Sequence, residues 1–506
     1  MNKIKNVISI DLGAGSCRLF LAGFDGSVIK TEEVYRFQNN AYLKNGTLFW
    51  DFKNMVFHLK KGVEKAYAKA EREIVCIGID GWGCDFGCLD GDGNLIQDPV
   101  SYRDRRTEGM DEEFFSMVSE KELFSETFSK TYSYNTLFQL YHVYKYTPEK
   151  ADKIKKILPI ASLVNYFLSG EKLVDPSILS GSQFFNIREK QYIEHILEAA
   201  GIPAEILPAI KENGNLIGKA TGQNFFPDSV SGFPDIALVC CMDSCSAVTG
   251  IPLKSFSNSS TNRSFFINSG TWSLIGTENK TPVVSEKIFE SEYTNWCSFR
   301  DNYIFIRAFN GFYYLQECRK AWEKLEGKRL DYDRLKKELL PEKQAEALID
   351  INRDYLDNSG SNILDTFEDY FKKTSQAIPV TRSSLFSSIF QSLALEYLLA
   401  YRELTSLTGS RFDRLYMAGG GSMNKIFCQW LSDCLDLEVY TGFAEASVNG
   451  NIIAQFAALR EVDGVEEGRE IIRNSFPLEV FVPSKKRTID WNKLEQRYES
   501  VKKAFL

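Results

Sequence analysis

Three aspartates each end a short apolar segment, and their carboxylates are the side chains best placed to do chemistry. Such segments read as strands, and α/β sheets place their ligand groups at strand ends. A carboxylate there can bind magnesium or accept a proton. A helix N-cap or turn role is the alternative for each of them, above all for Asp80. The three segments are residues 7–11, 74–80 and 236–243, which end in Asp11, Asp80 and Asp243.

Three predicted strands each lead into a turn of small residues. Gly13 and Gly15 follow the first segment, and Gly270 interrupts a similar one. Small residues let backbone amides face an anion, although each turn alone could be a tight hairpin. The glycines of residues 419–421 follow a strand and open a helix, where flat backbone can lie against a nucleotide base. Together, the three turns predict a polyphosphate clamped between two related halves.

Two familiar phosphate motifs are excluded by their spacing. Arg18 stands where a dinucleotide fingerprint needs its third glycine. The run from Gly214 to Lys219 is one residue too short for a P-loop, and the residue after the lysine is not Ser or Thr. The sequence therefore predicts neither a Rossmann site nor a P-loop.

Composition narrows the class of protein further. The chain has 506 residues, a formal charge of −8 and three histidines, His58, His142 and His195, which are far apart. The charge argues against a nucleic-acid partner, and the histidine spacing argues against His-based metal sites or catalysis. The cysteines form no repeated CxxC pattern, and the first residues lack the apolar core of a secretory signal. We therefore expect a cytoplasmic protein with reduced thiols and no membrane partner.

The elements that must position these residues alternate between strands and helices. Strand, glycine turn and strand recur in both halves, and helices are predicted over residues 135–146 and 151–157. The apolar stretch 385–404 contains Gln391, Glu396, Arg402 and Glu403, so it predicts a buried helix rather than a membrane span. A polar segment over residues 255–263 marks the predicted boundary between the halves.

Several motifs, taken together in their order and spacing, resemble the FGGY family of carbohydrate kinases within the actin, hexokinase and heat-shock ATPase superfamily. The resemblance covers nearly the full chain and is strongest to the rhamnulokinase group. It implies an α/β fold with two actin-like ATPase (ribonuclease H-like) domains and an interdomain cleft. The expected domains are a sugar-binding domain over residues 1–253 and a nucleotide-binding domain over residues 254–506. The matching motifs lie in residues 36–51, 78–83, 102–107, 135–140, 269–273, 419–421 and 445–451.

By resemblance, the activity is transfer of the γ-phosphoryl group of ATP to a ketose hydroxyl, with L-rhamnulose the expected sugar and a sugar 1-phosphate the product. Asp243 matches the catalytic base, and Asp11 is expected to hold Mg²⁺ through water. The expected partners are ATP and the sugar, with the chain acting as a monomer or homodimer. The expected ATP and phosphate contacts are Ala14, Gly15, Ser16, Cys17, Arg18, Thr271, Gln316 and Gly420, and the expected sugar contacts are Trp82, Gly83, Met242 and Ser244.

Departures from the rhamnulokinase pattern leave the sugar open. Met242 stands where that group carries histidine, and Ala308 stands at a substrate-contacting asparagine, with Asn310 two residues further on. Trp82 is expected to stack on the apolar face of the sugar, and a core aromatic is the alternative. An unpaired sugar hydroxyl costs about 1–3 kcal/mol, which is enough to change the preferred ketose. L-fuculose, xylulose and a non-catalytic sugar or nucleotide sensor therefore remain alternatives.

Overall fold

The computed structural model describes residues 4–221, 225–227, 230, 232–254, 263–332, 335, 337–352 and 362–504. Two compact units form, each from three separate segments. Unit 1 comprises Met1–Pro252, Glu278–Ile306 and Glu445–Phe476, and unit 2 comprises Leu253–Thr277, Arg307–Ala444 and Pro477–Leu506. The division expected at residues 253/254 stays a prediction. Most of the polar segment that marked it, residues 255–262, lies outside the described residues.

Strands occur along the whole described chain. They are β1 (Lys5–Leu12), β2 (Ser16–Phe24), β3 (Ile29–Gln38), β4 (Ala41–Lys44), β5 (Thr47–Trp50), β6 (Ile74–Gly81), β7 (Phe86–Leu89), β8 (Lys156–Pro159), β9 (Leu173–Val174), β10 (Phe185–Asn186), β11 (Gln191–Tyr192), β12 (Ala209–Ile210), β13 (Asn215–Lys219), β14 (Asp235–Leu238), β15 (Arg263–Ser269), β16 (Trp272–Asn279), β17 (Tyr293–Cys297), β18 (Tyr303–Asn310), β19 (Phe412–Ala418), β20 (Glu438–Thr441) and β21 (Glu479–Phe481).

Helices alternate with these strands. They are α1 (Phe52–Lys69), α2 (Met110–Phe114), α3 (Glu120–Thr127), α4 (Thr136–Tyr146), α5 (Pro148–Ala151), α6 (Ile160–Ser169), α7 (Pro176–Leu179), α8 (Glu194–Ala199), α9 (Asp243–Gly250), α10 (Glu286–Phe289), α11 (Tyr313–Glu326), α12 (Ile363–Lys373), α13 (Arg382–Thr408), α14 (Lys425–Leu435), α15 (Ala446–Ala458), α16 (Val465–Ser475) and α17 (Trp491–Lys503).

A mixed sheet with the order β13-β14-β6-β1-β2-β3 forms the centre of unit 1. β1 pairs with β2 antiparallel and with β6 parallel, so Asp11 has Arg18 on one side and Asp80 on the other. Every residue of β1 after Lys5 is buried, including the polar Asn6, Ser9 and Asp11, as is typical of a strand inside a sheet that is covered on both faces. The predicted strand, turn and strand are confirmed here, and the register brings the charged residues of three strands to one place.

Two glycines let α9 and α15 approach each other closely in unit 1. A Cβ at Gly250 would lie 2.0 Å from the carbonyl oxygen of Ala446, and one at Gly450 would lie 1.8 Å from that of Ser246. A side chain fits at neither position, so both helices need glycine at this crossing. The crossing fixes α9, whose first residue is Asp243, against the helix that follows Glu445.

Unit 2 repeats the hairpin of unit 1 with different residues. Its strands β16, β15, β19, β20 and β21 lie in that order, with β15 antiparallel to β16 and parallel to β19. The helix predicted over residues 385–404 is confirmed as part of α13, whose interior positions are largely buried. Within the described ranges, no helix is long and apolar enough to cross a membrane.

One predicted helix is wrong. Residues 151–157 were expected to be helical, but α5 ends at Ala151 and Lys156–Pro159 form β8, which pairs antiparallel with β7. Ile157 and Leu158 are buried by this pairing. Local sequence does not reveal such a partner, because β7 lies about seventy residues earlier in the chain.

Candidate active site

The β1–β2 hairpin of unit 1 presents a carboxylate and a guanidinium side by side. Asp11 is buried, forms an ion pair with Arg18 and accepts a hydrogen bond from Ser447 Oγ at 2.9 Å. Arg18 forms a second ion pair, with Glu445. Although desolvation acts in the opposite direction, Asp11 and then Glu445 raise the pKa of Arg18 above its ordinary value. Arg18 therefore stays cationic beside the turn.

The turn between β1 and β2 is compact and partly open to solvent. Gly13 needs glycine, because a Cβ there would lie 2.6 Å from the carbonyl oxygen of Ser16. Ala14 is half-buried and Gly15 is exposed. Ser16 Oγ is buried without a hydrogen-bond partner among the described residues, so this hydroxyl can serve an incoming oxygen.

Cys17 is a packing residue in this hairpin. Its side chain is fully buried, and its thiol contacts the carbonyl oxygen of Gly13 at 3.7 Å. Burial and then the charge of Asp11 raise the pKa of the thiol well above its ordinary value. A neutral, buried thiol is not a nucleophile, so Cys17 contributes shape rather than reactivity.

Asp243 is the first residue of α9, and its carboxylate is the strongest candidate proton acceptor in unit 1. Ser244 Oγ donates to Asp243 Oδ1 at 2.9 Å. Desolvation first, and then the negative charge of Asp11, raise the pKa of the Asp243 carboxyl to about 7. A carboxylate with a pKa near the working pH accepts a proton more readily than an ordinary aspartate.

Asp80 lies beside Asp11 on the neighbouring strand, β6. Its side chain is fully buried, and Asn451 Nδ2 donates to Asp80 Oδ2 at 2.6 Å. Burial and the charge of Asp11 raise the pKa of Asp80 well above its ordinary value. Adjacent carboxylates in a buried site do not all ionise. Asp80 therefore holds a proton more readily than an ordinary aspartate.

The predicted sugar contacts of unit 1 lie close to Asp243. Gly81 and Met242 form an isolated β-bridge, and a Cβ at Gly83 would lie 3.0 Å from Met242 Sδ. Trp82 is buried, with 5% of its surface exposed, and its backbone N–H donates to the carbonyl oxygen of Leu12 at 3.1 Å. These contacts bring Trp82, Gly83 and Met242 to the edge of the sheet that carries Asp11.

The predicted nucleotide contacts of unit 2 line one cavity of about 530 Å³. Gln316 Nε2, from α11, donates to Thr271 Oγ1 in the β15–β16 turn at 2.8 Å. Gly420 opens a short 3₁₀ turn after β19. Aromatic and aliphatic side chains form most of the remaining wall, which suits a flat apolar ring. They include Phe312, Leu315, Leu335, Leu339, Phe386 and Phe390.

The structure thus gathers the predicted residues in two groups. Asp11, the 14–18 turn, Trp82, Gly83 and residues 242–244 belong to unit 1, whereas Thr271, Gln316 and Gly420 belong to unit 2. Ala308 is exposed on β18, and Asn310 Nδ2 donates to the carbonyl oxygen of Ile351 at 3.3 Å.

Two residues of the 445–451 motif contact the hairpin of unit 1, although the sequence predicted no role for them. Glu445 forms an ion pair with Arg18, and Ser447 donates to Asp11. Their signal was the run from Glu445 to Asn451, whose small residues also allow α15 to approach α9. The aromatic wall of the unit 2 cavity had no signal, because its members are far apart in the sequence, with Phe312 before α11 and Phe386 and Phe390 in α13.

The two candidate functional sites of the described chain are therefore a carboxylate hairpin in one α/β unit and a glycine-lined apolar cavity in the other. Comparison with models of protein families shows which family the chain belongs to. Residues 6–285 match the N-terminal domain and residues 265–459 the C-terminal domain of the FGGY family of carbohydrate kinases. The chain belongs to this family and is a sugar kinase.

Curated relatives match over nearly the whole chain. A rhamnulokinase from Bacillus subtilis (strain 168) is 28% identical over 492 residues, which cover 97% of each protein. A rhamnulokinase from Bacteroides thetaiotaomicron is 29% identical over 484 residues, which cover 95% of this chain and 96% of the relative.

Solved structures share the fold. A xylulose kinase from Lactobacillus acidophilus matches with a TM-score of 0.78 and 13% identity over 99% of this chain and 98% of the other. Plasmodium falciparum glycerol kinase with ADP matches with a TM-score of 0.69 and 18% identity over 99% and 98%. The predicted two-domain α/β fold is therefore confirmed.

Proposed function

We propose that this kinase transfers the γ-phosphoryl group of ATP to a hydroxyl of a ketose, with L-rhamnulose as the preferred sugar and a sugar 1-phosphate as the product. The observation that carries the proposal is Asp243, a desolvated carboxylate at the head of α9 whose pKa is raised to about 7. A sugar hydroxyl is a weak nucleophile until a base accepts its proton, and Asp243 meets that need.

Asp243 acts as the base in this proposal. Ser244 donates to one carboxylate oxygen, Oδ1, and thereby orients the group. Near neutral pH a large fraction of this carboxyl is deprotonated, because its pKa is about 7. The hydroxyl proton passes to the Asp243 carboxylate while the sugar oxygen attacks the γ-phosphorus, and ADP leaves.

The hairpin of unit 1 serves the transferring phosphoryl group. Arg18 supplies positive charge where negative charge accumulates, and Ser16 Oγ is an available donor. Asp11 offers the hard oxygen ligand that Mg²⁺ prefers. Among the described residues, no group of three or more His, Cys, Asp and Glu side chains could hold a metal ion. The Mg²⁺ of the ATP complex is therefore expected to take most of its ligands from phosphates and water, with Asp11 contacting it through water.

The nucleotide is assigned to the unit 2 cavity in this proposal. The apolar wall there suits an adenine ring, and Gly420 lets backbone approach it without a side chain. Thr271 and Gln316 form a hydrogen-bonded pair at the same cavity, so their polar atoms are available to the phosphates or the ribose.

L-rhamnulose is favoured because the curated relatives with nearly full coverage carry the name rhamnulokinase. Xylulose is the second candidate. Met242 supplies a thioether beside Gly83, so the site lacks a hydrogen-bonding side chain there, and solved structures named xylulose kinase share the fold. L-fuculose is the third sugar to compare.

The test is sugar-dependent ADP release by the purified chain with ATP and Mg²⁺. The panel contains L-rhamnulose, L-fuculose, D-xylulose and L-xylulose. We expect the highest kcat/KM with L-rhamnulose, and phosphorus NMR should show a phosphate ester at C1. A higher kcat/KM with another ketose would show that L-rhamnulose is not the preferred sugar, while the chain would still be a ketose kinase. No sugar-stimulated release with any ketose would overturn the proposal.

The sensor alternative gives a different result in the same preparation. A sensor would be stabilised against heat by a ketose or by ATP, because ligand binding to the folded state raises its stability, yet it would release no ADP. The cytoplasmic location and the monomeric or homodimeric state stay predictions.

A further inference from the structure

A buried carboxylate next to the predicted sugar loop joins two tryptophans. Asp85 is 1% exposed, and its Oδ2 accepts hydrogen bonds from Trp50 Nε1 at 2.6 Å and from Trp82 Nε1 at 2.9 Å. The two indole rings lie 4.8 Å apart between centroids. Trp50 ends β5, whereas Trp82 and Asp85 flank the turn between β6 and β7. One carboxylate oxygen therefore fixes the orientation of both rings.

Two further side chains continue this arrangement away from the sheet. Gln139 Nε2, on α4, approaches Asp85 Oδ1 at 3.4 Å, and Arg106 donates to Gln139 Oε1 at 2.6 Å. Arg106 and Gln139 belong to two of the motifs that carried the family resemblance but had no assigned role. We call Trp50, Trp82, Asp85, Arg106 and Gln139 the Asp85 network.

The network also holds a strained piece of backbone. Cys84 has a φ of 73°, a left-handed conformation that is uncommon for a residue other than glycine. Its carbonyl oxygen accepts hydrogen bonds from Thr136 Oγ1 at 2.9 Å and from Gln139 Nε2 at 3.2 Å. Strained backbone persists where its surroundings hold it, and it concentrates at functional sites. Here the strain directs the chain between Trp82 and Asp85.

This backbone determines where Gly83 lies. The Cβ of any other residue at position 83 would meet Met242 Sδ at 3.0 Å, so Gly83 and the residue before Asp243 are close neighbours. A shift of the turn by a few tenths of an ångström would change the space between Gly83 and Met242. The predicted sugar contacts depend on this spacing.

We propose that Asp85 is a positioning residue for the ketose, which acts through Trp82 and the strained turn to hold Gly83 against Met242. The inference rests on the proposed function, because it assigns the sugar to this side of unit 1. Thr136 and Gln139 support the same turn from α4, and Arg106 contacts Gln139 from the 3₁₀ turn Arg105–Thr107. Asp85 touches no reacting atom, so it governs ketose binding rather than phosphoryl transfer.

The test separates binding of the two substrates from turnover. Asp85→Ala leaves two buried indole N–H groups without their acceptor, and we expect the KM for the ketose to rise about tenfold or more. The KM for ATP and kcat should each stay within about threefold, because the described hydrogen bonds of the network include neither Asp243 nor a residue that lines the unit 2 cavity. Asp85→Asn keeps an acceptor oxygen and should restore the ketose KM to within about threefold of the wild type.

A milder variant and a control variant show whether a change in the ketose KM comes specifically from the Asp85 network. Thr136→Val is nearly isosteric and removes one hydrogen bond to the Cys84 carbonyl, so the ketose KM should rise about threefold. Asp433→Asn changes another buried carboxylate, which accepts from Ser484 and Gln429 in unit 2. It should leave the ketose KM unchanged. If Asp85→Ala fails to fold, Thr136→Val decides the question.

The outcomes are distinct from those of the proposed function. If the wild type shows no sugar-dependent turnover, the proposed function fails. If the wild type is active, an unchanged ketose KM in folded Asp85→Ala overturns the positioning role, and so does a loss confined to kcat or to the KM for ATP. Tryptophan fluorescence titrated with the ketose alone gives the same comparison without turnover. A merely structural role predicts lower thermal stability with an unchanged ketose affinity.

Discussion

Two hairpins with the same strand arrangement carry different chemistry. In unit 1, β1 runs antiparallel to β2 and parallel to β6, and Asp11 pairs across to Asp80. In unit 2, β15 runs antiparallel to β16 and parallel to β19, and Asn268 pairs across to Ala418. Each hairpin turns at small residues, and a glycine follows the central parallel strand in both units. The strand arrangement is therefore the same, and the side chains differ.

The difference shows how residue type sets the role of one topology. Carboxylates at the strand ends of unit 1 place negative charge beside Arg18, which suits proton and phosphate chemistry. Hydroxyls and an amide occupy unit 2, where Ser269 contacts Tyr397 and Gln316 contacts Thr271. Neutral groups beside an apolar cavity suit recognition of a nucleotide. Topology determines where side chains converge, and charge determines what they do.

The largest effect is expected from Asp243→Asn in unit 1. The variant cannot accept the hydroxyl proton, so kcat should fall by about two to four orders of magnitude. The KM for ATP should change by less than about threefold, because Asp243 lies outside the unit 2 cavity. Steady-state ADP release with saturating ketose measures both values. A variant with wild-type kcat would show that Asp243 is not the base. It would also contradict the proposed difference in chemistry between the two units.

A pH dependence of stability should come from Asp85. Burial raises the pKa of the folded Asp85 carboxyl to about 6, despite hydrogen bonds from both tryptophans and the backbone of Tyr102 and the nearby charge of Arg106. An unfolded aspartate titrates near pH 4, so the folded state binds the extra proton between about pH 4 and 6. This contribution is present below pH 4 and is lost as the pH rises through 6. The loss is about 3 kcal/mol of unfolding free energy.

The measurement is urea unfolding of wild type and Asp85→Asn from pH 4 to pH 8. The variant has no titrating group at this position, so its stability relative to the wild type should increase by up to about 3 kcal/mol between pH 4 and 7. Comparison of the two proteins cancels the other titrating carboxylates. A difference that stays constant over this range would show that Asp85 does not titrate there.

A smaller effect, confined to the KM for ATP, is expected from Thr271→Val in unit 2. The variant removes the hydroxyl that accepts from Gln316, and the KM for ATP should rise about tenfold. The KM for the ketose should stay unchanged. Thr405→Val is the matched control, because its hydroxyl bonds within α13 to the carbonyl of Tyr401. A change in ketose KM without a change in ATP KM would contradict the assignment of the two units.

Local sequence was sufficient to predict the hairpins but not the side-chain contacts around them. Asp11 and Arg18 could be predicted to lie together, because a glycine turn folds one apolar strand back on the next. The Asp85 network could not. Its members come from β5, the β6–β7 turn, a 3₁₀ turn and α4, and no local pattern shows that two indoles share one carboxylate.

Backbone and packing explain the remaining misses. Cys84 adopts a conformation that favours glycine, so its residue type gave no sign of the turn. The wall of the unit 2 cavity joins Phe312 with Phe386 and Phe390 of α13, and such aromatics read as ordinary core residues. Tertiary contacts determine both features.

The smallest effect compares one serine from each unit. Ser269 is buried and shares a hydrogen bond with the Tyr397 hydroxyl, which also bonds Ser273. Because Tyr397 keeps its second partner, Ser269→Ala should lower the unfolding free energy by about 1 kcal/mol and leave kcat unchanged. Ser447→Ala in unit 1 removes a donor to Asp11 and should instead lower kcat about threefold to tenfold. Urea unfolding and initial rates of both variants test this pair. A tenfold loss of kcat in Ser269→Ala would mean that the unit 2 hairpin also acts on the reacting groups, and the division of roles between the hairpins would then be wrong.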